Sequence, residues 1–204
     1  MRIRSSFFFL SALLMFSACS QNAATPSSSA CATPSTWTWN GEQLTGRHTA
    51  VLCTSKGDIS LELDATVAPK TVTNFLALAS TGYYNNLTFH RVIPGFMIQG
   101  GDPNGNGTGG KSVYGETFED EIDPSSSLYT GGYKQCVIAM ANRGPNTNGS
   151  QFFIMDTDYP LPPNYTIFGR VTAGQDVVHA IATTPRDAND KPKERVTFSV
   201  KILP

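Results

Sequence analysis

The residues that could do chemistry are a run of glycines, a few histidines and serines, and one arginine beside a histidine. Gly105 to Ser112 reads Gly-Asn-Gly-Thr-Gly-Gly-Lys-Ser and fits the pattern G-x-x-x-x-G-K-S/T, whose backbone N–H groups cradle phosphates. That chemistry needs a buried strand before the loop and a helix after it. Here Val113 to Glu121 follows, with Gly115 inside it and no amphipathic period, and no βαβ series surrounds it. The segment is therefore expected to be a glycine-rich surface loop that binds no nucleotide. His48, His90 and His179 lack metal-ligand spacing, so neither a metal nor another cofactor is expected. Gly149-Ser150-Gln151 does not match a nucleophile elbow, and no Ser/His/Asp set assembles. Arg91 follows His90 in a strand-like run. Taken alone, such an arginine reads as a surface ion pair.

These residues need elements to position them. Thr49 to Thr54 and Ile59 to Leu63 read as strands joined by a turn at Lys56-Gly57-Asp58. Ala68 to Ser80 reads as a helix, with Pro69 in its first turn, Val72, Phe75, Leu76 and Ala79 on one face, and Gly82 closing it. Further short strands are expected at Leu87 to Ile93, Phe96 to Gln99, Val137 to Met140, Gln151 to Ile154, Ile167 to Val171 and Val196 to Ile202. A second helix is expected over Gly174 to Thr183. The sum is a mainly β fold, a closed eight-stranded antiparallel barrel capped by two helices. The 18 glycines and 13 prolines suit such a loop-rich architecture. A net charge of −1 provides no long-range field for nucleic acid or anionic lipid, and neither is expected as a partner.

The N-terminus reads as a targeting segment. Arg2 and Arg4 precede an apolar run from Phe7 to Phe16, too short to span a bilayer as a helix, so residues 1–18 read as a signal peptide. Ser17-Ala18-Cys19 resembles a bacterial lipoprotein processing site, which implies that Cys19 becomes the lipidated first residue. Phe16 departs from that pattern, which usually has Leu or another aliphatic residue there. One acyl chain holds a protein weakly; the resemblance implies several. Residues 19–45 read as the lipidated cysteine and a flexible linker rich in Ser, Thr, Pro and Ala, and residues 46–204 as the folded domain. Trp37 and Trp39 could dock on that domain or lie on a membrane, and docking is expected. The location is extracytoplasmic, periplasm or cell surface, with the membrane reached through the lipid alone. In that compartment Cys31, Cys53 and Cys136 can form one bridge or remain thiols, and their pairing stays open.

Two stretches carry a family resemblance. Phe89 to Asp102 (FHRVIPGFMIQGGD) and Met140 to Ile154 (MANRGPNTNGSQFFI) resemble the two signature stretches of cyclophilins, a family of peptidyl-prolyl cis/trans isomerases. Gly107 to Glu121 and Ile167 to Val171 match the family as well, and the likeness runs from about residue 48 to the C-terminus. The resemblance implies the same eight-stranded barrel, its glycine loop free of nucleotide, with the substrate groove on the outer face. The implied substrates are proline-containing polypeptides, specifically exported ones whose folding is assisted, and the implied state is a monomer. A second reading keeps the groove as a binding module or chaperone for proline segments, with incidental isomerase activity; the retained Arg91 favours catalysis.

The resemblance assigns roles residue by residue. Rotating an X-Pro bond must break amide resonance, at a barrier of about 18–20 kcal/mol, and needs no covalent intermediate. Arg91 matches the catalytic arginine, a fixed donor for the twisted amide. Phe96, Met97, Phe153 and Leu161 match the proline pocket. Phe152, which must face the opposite side of the strand from Phe153, is left for the core. Ala141, Asn142 through its main chain, and Gln99 match positions that hold the substrate backbone; Gln151 lines the groove, and Gln99 is also placed to orient Arg91. Tyr165 stands where the family has a pocket histidine, and no Trp flanks the pocket, so weaker cyclosporin inhibition is expected. Thr108, Glu116, Thr117 and Arg143 are assigned to a side pocket that tunes sequence preference. His90 is expected to be structural.

Overall fold

A computed structural model describes Cys31 and residues 37–203. The expected signal peptide and Cys19 lie outside the described residues, as does the linker up to residue 36 apart from Cys31.

The first hairpin pairs β1 (Arg47–Thr54) with β2 (Gly57–Asp64), and the Thr54 hydroxyl donates to Gly57 O at 2.6 Å to seal the turn. Period-two alternation buries Ile59, Leu61 and Leu63 on one face of β2. Helix α1 (Pro69–Ser80) begins at proline, as expected. Its N-cap residue, Ala68, provides no side-chain oxygen. Glu121 does so from across the chain, accepting Lys70 N at 2.9 Å and Thr71 N at 2.8 Å. The remaining elements are β3 (Leu87–Thr88), β4 (Arg91–Ile93), β5 (Met97–Gly100), α2 (Ser127–Thr130), β6 (Val137–Met140), β7 (Phe152–Met155), β8 (Ile167–Ala173), α3 (Gln175–Ala182) and β9 (Thr197–Ile202).

The strands form one antiparallel sheet in the order β3-β9-β1-β2-β8-β6-β7-β5-β4. Its first and last members are consecutive in the chain. The run read from sequence as one strand, Leu87 to Ile93, pairs with β9 through its first half and with β5 through its second. Phe89 N donates to Val196 O and His90 N to Gln99 O, so the two ladders meet and the sheet closes. Among the described residues nine segments therefore appear where eight were expected, because this strand bends as it changes partners. The expected pair of capping helices is present as α1 and α3, joined by the unforeseen single turn α2.

The interior is filled. The Phe75 ring, from α1, meets Tyr84, Phe152 and Phe168 at centroid distances of 5.1, 5.5 and 5.5 Å. Outside the barrel, Leu44 N donates to the Thr73 hydroxyl at 2.8 Å, and the Trp39 ring stands edge-on to Tyr114 at 6.1 Å. Trp37 packs against the core, so the two tryptophans dock on the domain as expected. Cys31 and Cys53 form a disulfide, which answers part of the pairing question.

Phe75→Ala should lower stability by about 3–5 kcal/mol, the usual cost of emptying a large aromatic site in a packed core. Denaturant unfolding checks this; a loss under about 1 kcal/mol would mean that the ring cluster does not hold helix to sheet.

Candidate active site

Strand alternation gives the sheet a second apolar face. In β4, β5 and β7 the register aligns Arg91 with Gln99 and Gln99 with Phe153, while Ile93 aligns with Met97 and Met97 with Met155. The intervening residues Val92, Ile98, Phe152 and Ile154 belong to the barrel core. Met97, Phe153 and Met155 instead join Ala139, Ile167, Tyr129 and Tyr133 in a smaller cluster on the outside. Phe152 and Phe153 thus face opposite sides, as their adjacency requires.

On this outer cluster sits an open groove of ≈ 300 Å³. Its lining brings together Arg91, Phe96, Met97, Gln99, Ala141, Asn142, Gln151, Phe153, Leu161 and Tyr165, all assigned there from sequence, with Glu116, Thr117 and Arg143 at one end. Thr108 lines a neighbouring cavity together with Glu116, Thr117 and Arg143, which brings together the four residues assigned to the side pocket.

Each wall has a structural cause. Phe96 stands on the turn between β4 and β5, where the fully buried Asp156 carboxylate accepts Gly95 N at 2.8 Å and faces His179 Nδ1 at 3.0 Å. Tyr165 is held through its main chain: the hydroxyls of Tyr129 and Tyr133 donate to its carbonyl at 2.8 and 2.9 Å, and its N–H donates to Tyr133 Oη at 3.0 Å. Burial pushes the Tyr133 hydroxyl up to about 12 and that of Tyr129 higher still, so both remain protonated donors. The Tyr165 ring then stands edge-on to Phe153 at 5.5 Å. Neither Tyr129 nor Tyr133 was singled out from sequence, where tyrosines in a loop region carry no period. Tyr159 was missed as well; it is 45% exposed and lies against Phe96 at 4.5 Å, extending the aromatic surface of the groove.

Both glutamines line the groove, as expected, and they are bonded to one another. Gln151, only 8% exposed, donates Nε2 to Gly107 O at 3.1 Å and Gly109 O at 2.7 Å, tying the glycine loop to the sheet. Gln99 donates to Gln151 Oε1 at 3.0 Å. Its amide nitrogen is engaged there, and the group at Arg91 Nε is Asp190, whose Oδ2 lies 3.8 Å away. Asn142 donates through Nδ2 to Asn164 O at 2.8 Å, which fixes its side chain. Arg143 reaches over the side cavity, Nη1 donating to Thr108 O at 3.4 Å.

The glycine loop itself is closed around a carboxylate. Asp102 accepts N–H bonds from Asn104, Asn106 and Gly107 at 2.8, 3.0 and 2.6 Å. Burial pushes the Asp102 carboxyl up, but these three donors and neighbouring His90 outweigh it, and the net direction is down. Within the glycine run, the Asn106 and Gly107 N–H groups thus already serve an internal anion. Gly101, at φ 87°, lets the chain approach the Ser150 carbonyl where any Cβ would collide.

An outer groove with an apolar floor, side-chain amides at its rim and the guanidinium groups of Arg91 and Arg143 has the make-up of a peptide-binding site of the proline-isomerase kind. The family model described as cyclophilin type peptidyl-prolyl cis-trans isomerase/CLD matches residues 49–201. Peptidyl-prolyl cis-trans isomerase-like 1 of Gibberella zeae is 50% identical over 147 residues, covering 72% of this chain and 88% of that protein. Peptidyl-prolyl cis-trans isomerase 9 of Schizosaccharomyces pombe is 49% identical over 156 residues, covering 76% of this chain and 25% of that larger protein. A Cryptosporidium parvum cyclophilin-type isomerase crystal structure superposes with a TM-score of 0.73 at 39% identity, covering 78% of this chain and 98% of that one. The chain belongs to the cyclophilin-type peptidyl-prolyl cis/trans isomerase family, and it is a peptidyl-prolyl isomerase.

His90 is 6% exposed and neither ring nitrogen has a hydrogen-bond partner, so its place is structural, as expected. Burial lowers its pKa; Asp102 opposes this, and Arg91 and Lys191 add to it. The native state therefore refuses a proton that the unfolded state accepts. Stability should be full above the ordinary histidine value of about 6.5 and should fall as pH drops below it. NMR titration of the His90 ring should show a midpoint below that value; a midpoint at or above it would contradict the buried neutral imidazole.

Proposed function

We propose that Arg91 performs the isomerisation by binding the twisted amide better than either planar isomer. The observation that carries this is the row Arg91, Gln99, Phe153: register places a permanent cation beside an apolar floor on the outer face of a rigid sheet. The proline ring enters the pocket formed by Phe96, Met97, Phe153 and Leu161, with Tyr165 closing one side. Main-chain groups of Ala141 and Asn142 hold the substrate backbone, with Gln99 and Gln151 at the rim. When the X-Pro bond twists, resonance is lost and a lone pair returns to the prolyl nitrogen. The guanidinium donates toward that developing charge, which is absent in both ground states, so the interaction lowers the barrier selectively. No bond to the protein forms. Support for a proline ligand comes from a second Cryptosporidium parvum cyclophilin structure, determined in the presence of the dipeptide Ala-Pro, with a TM-score of 0.71 and 39% identity over 76% of this chain and 99% of that one.

Arg143, Glu116, Thr117 and Thr108 tune preference for residues preceding the X-Pro pair, since the cavity they share opens beside the groove. The chain acts as an exported, monomeric folding helper, lipid-anchored through Cys19. Supporting this are the signal-like residues 1–18, the Ser17-Ala18-Cys19 site and the Cys31–Cys53 disulfide, a bond that persists in oxidising compartments.

Arg91→Ala should reduce kcat/KM on a proline peptide by about 10²–10³-fold, the usual effect of deleting a transition-state donor. Equal acceleration of a proline-limited refolding reaction by wild type and variant would refute the assignment. For the anchor, mass spectrometry of the mature chain should find Cys19 as an acylated first residue. A soluble chain beginning elsewhere, or an unmodified Cys19, would refute it.

A further inference from the structure

We propose that Asp190 is a positioning residue for Arg91, holding the guanidinium by its Nε edge so that its Nη fork is left for the substrate. The inference rests on the assignment of Arg91 above. Asp190 lies about a hundred residues further along the chain, in the loop before β9, and reaches the site from behind β4. Its carboxylate bridges two arginines: Oδ2 is 3.8 Å from Arg91 Nε and Oδ1 is 3.0 Å from Arg186 Nε.

The backbone is built for this placement. β4 lies at the end of the sheet order, so its outer edge is open to a loop. Val92 N donates to Asp190 O at 2.8 Å, which locks the loop to the residue beside Arg91. Asp190 adopts φ 61°, a left-handed conformation that aspartate tolerates better than most residues and that persists only where the surroundings enforce it. The loop is stitched on both sides of it. Arg186 bridges Pro192, Asp187 N donates to Lys191 O at 2.9 Å, and Lys193 N donates to Pro185 O at 2.8 Å. The Asp187 carboxylate also accepts Asn189 N and Lys191 N at 2.9 and 3.0 Å.

The charge arrangement separates orientation from neutralisation. One carboxylate beside Arg91 alone would cancel the charge that the twisted amide must meet. With Arg186 on its other oxygen, the three groups retain a net positive charge, and Arg91 remains an effective donor. His90, whose pKa burial lowers, Lys191 and, on the other side of His90, Asp102 are further titratable groups on this side of the arginine. Gln99, opposite Arg91 in the ladder, donates Nε2 to Gln151, and the group at the Nε edge of Arg91 is Asp190.

The test uses the full chain and a proline peptide whose exchange gives kcat and KM separately. Asp190→Asn preserves shape and tolerates the same backbone. It should lower kcat by about tenfold, with KM within about twofold and the melting temperature unchanged. In an Arg91→Ala background the same substitution should have no further effect. Arg186→Gln, which leaves Asp190 in place, should lower kcat to a smaller extent and should likewise be silent without Arg91; it carries the test if Asp190→Asn does not fold. Wild-type kcat in both Asp190→Asn and Arg186→Gln, or equal losses with and without Arg91, overturns the clamp alone. Wild-type activity in Arg91→Ala overturns the clamp together with the assignment on which it rests.

Discussion

The barrel is full, and this constrains everything else about the molecule. Phe75, Phe152, Phe168 and Phe198 are all essentially buried, leaving no lumen for a ligand. A binding site must therefore be built on the outer face of the sheet, where side chains would ordinarily meet water. That requires a second apolar layer. β5 and β7 provide it by being apolar on both faces, every residue of β7 being buried. Tyr129, Tyr133 and Tyr165 cover the layer, with the hydroxyls of Tyr129 and Tyr133 spent on main-chain bonds. The groove is what remains open between this cover and the glycine loop.

Rigidity follows from the same arrangement. A catalyst that works by differential binding needs a donor that does not move with its substrate. The floor beneath the proline ring is sheet, not loop. The loops forming the rim are tied to that sheet by buried polar groups: Gln151 to the carbonyls of Gly107 and Gly109, Asp156 to the Gly95 amide, Asp102 to three amides of the glycine run. Each bond is modest by itself, about 1 kcal/mol net, yet removing one partner would leave a buried group unsatisfied at greater cost. The polar network thus acts on geometry more than on stability.

Much of this was legible in the residues because period two and turn chemistry are local signals. The strands around the groove, the start of α1 at Pro69 and the opposite facing of Phe152 and Phe153 all depend on neighbours in sequence. The groove lining was legible through a long ordered resemblance, and the four side-pocket residues, Thr108 among them, meet in the adjoining cavity. What escaped is non-local. Glu121 caps a helix some fifty residues before it, and Tyr129 and Tyr133 clamp Tyr165 from more than thirty residues away. The split of Leu87 to Ile93 into two strands arises because the barrel must close, which no window of residues reveals. The Gln99–Gln151 bond is of the same kind: adjacency across the ladder puts Gln99 opposite Arg91, while its amide nitrogen donates to a residue 52 positions away.

The glycine run shows how chemistry is decided by what fills a loop and not by its pattern. A string of glycines presents a concave set of N–H groups, and any such set attracts an anion. In a phosphate-binding loop the anion is the ligand. Here it is Asp102, next to Gly101 in the chain and fixed at the end of β5. Because the anion is covalently part of the fold, the loop is satisfied before any ligand arrives, and its outward-facing carbonyls at Gly107 and Gly109 remain to receive Gln151. The same donors that would serve nucleotide chemistry elsewhere are turned inward, and the loop becomes one wall of a groove that acts on a peptide. Its residues then contribute through position alone, which is what a reaction with no covalent step asks of them.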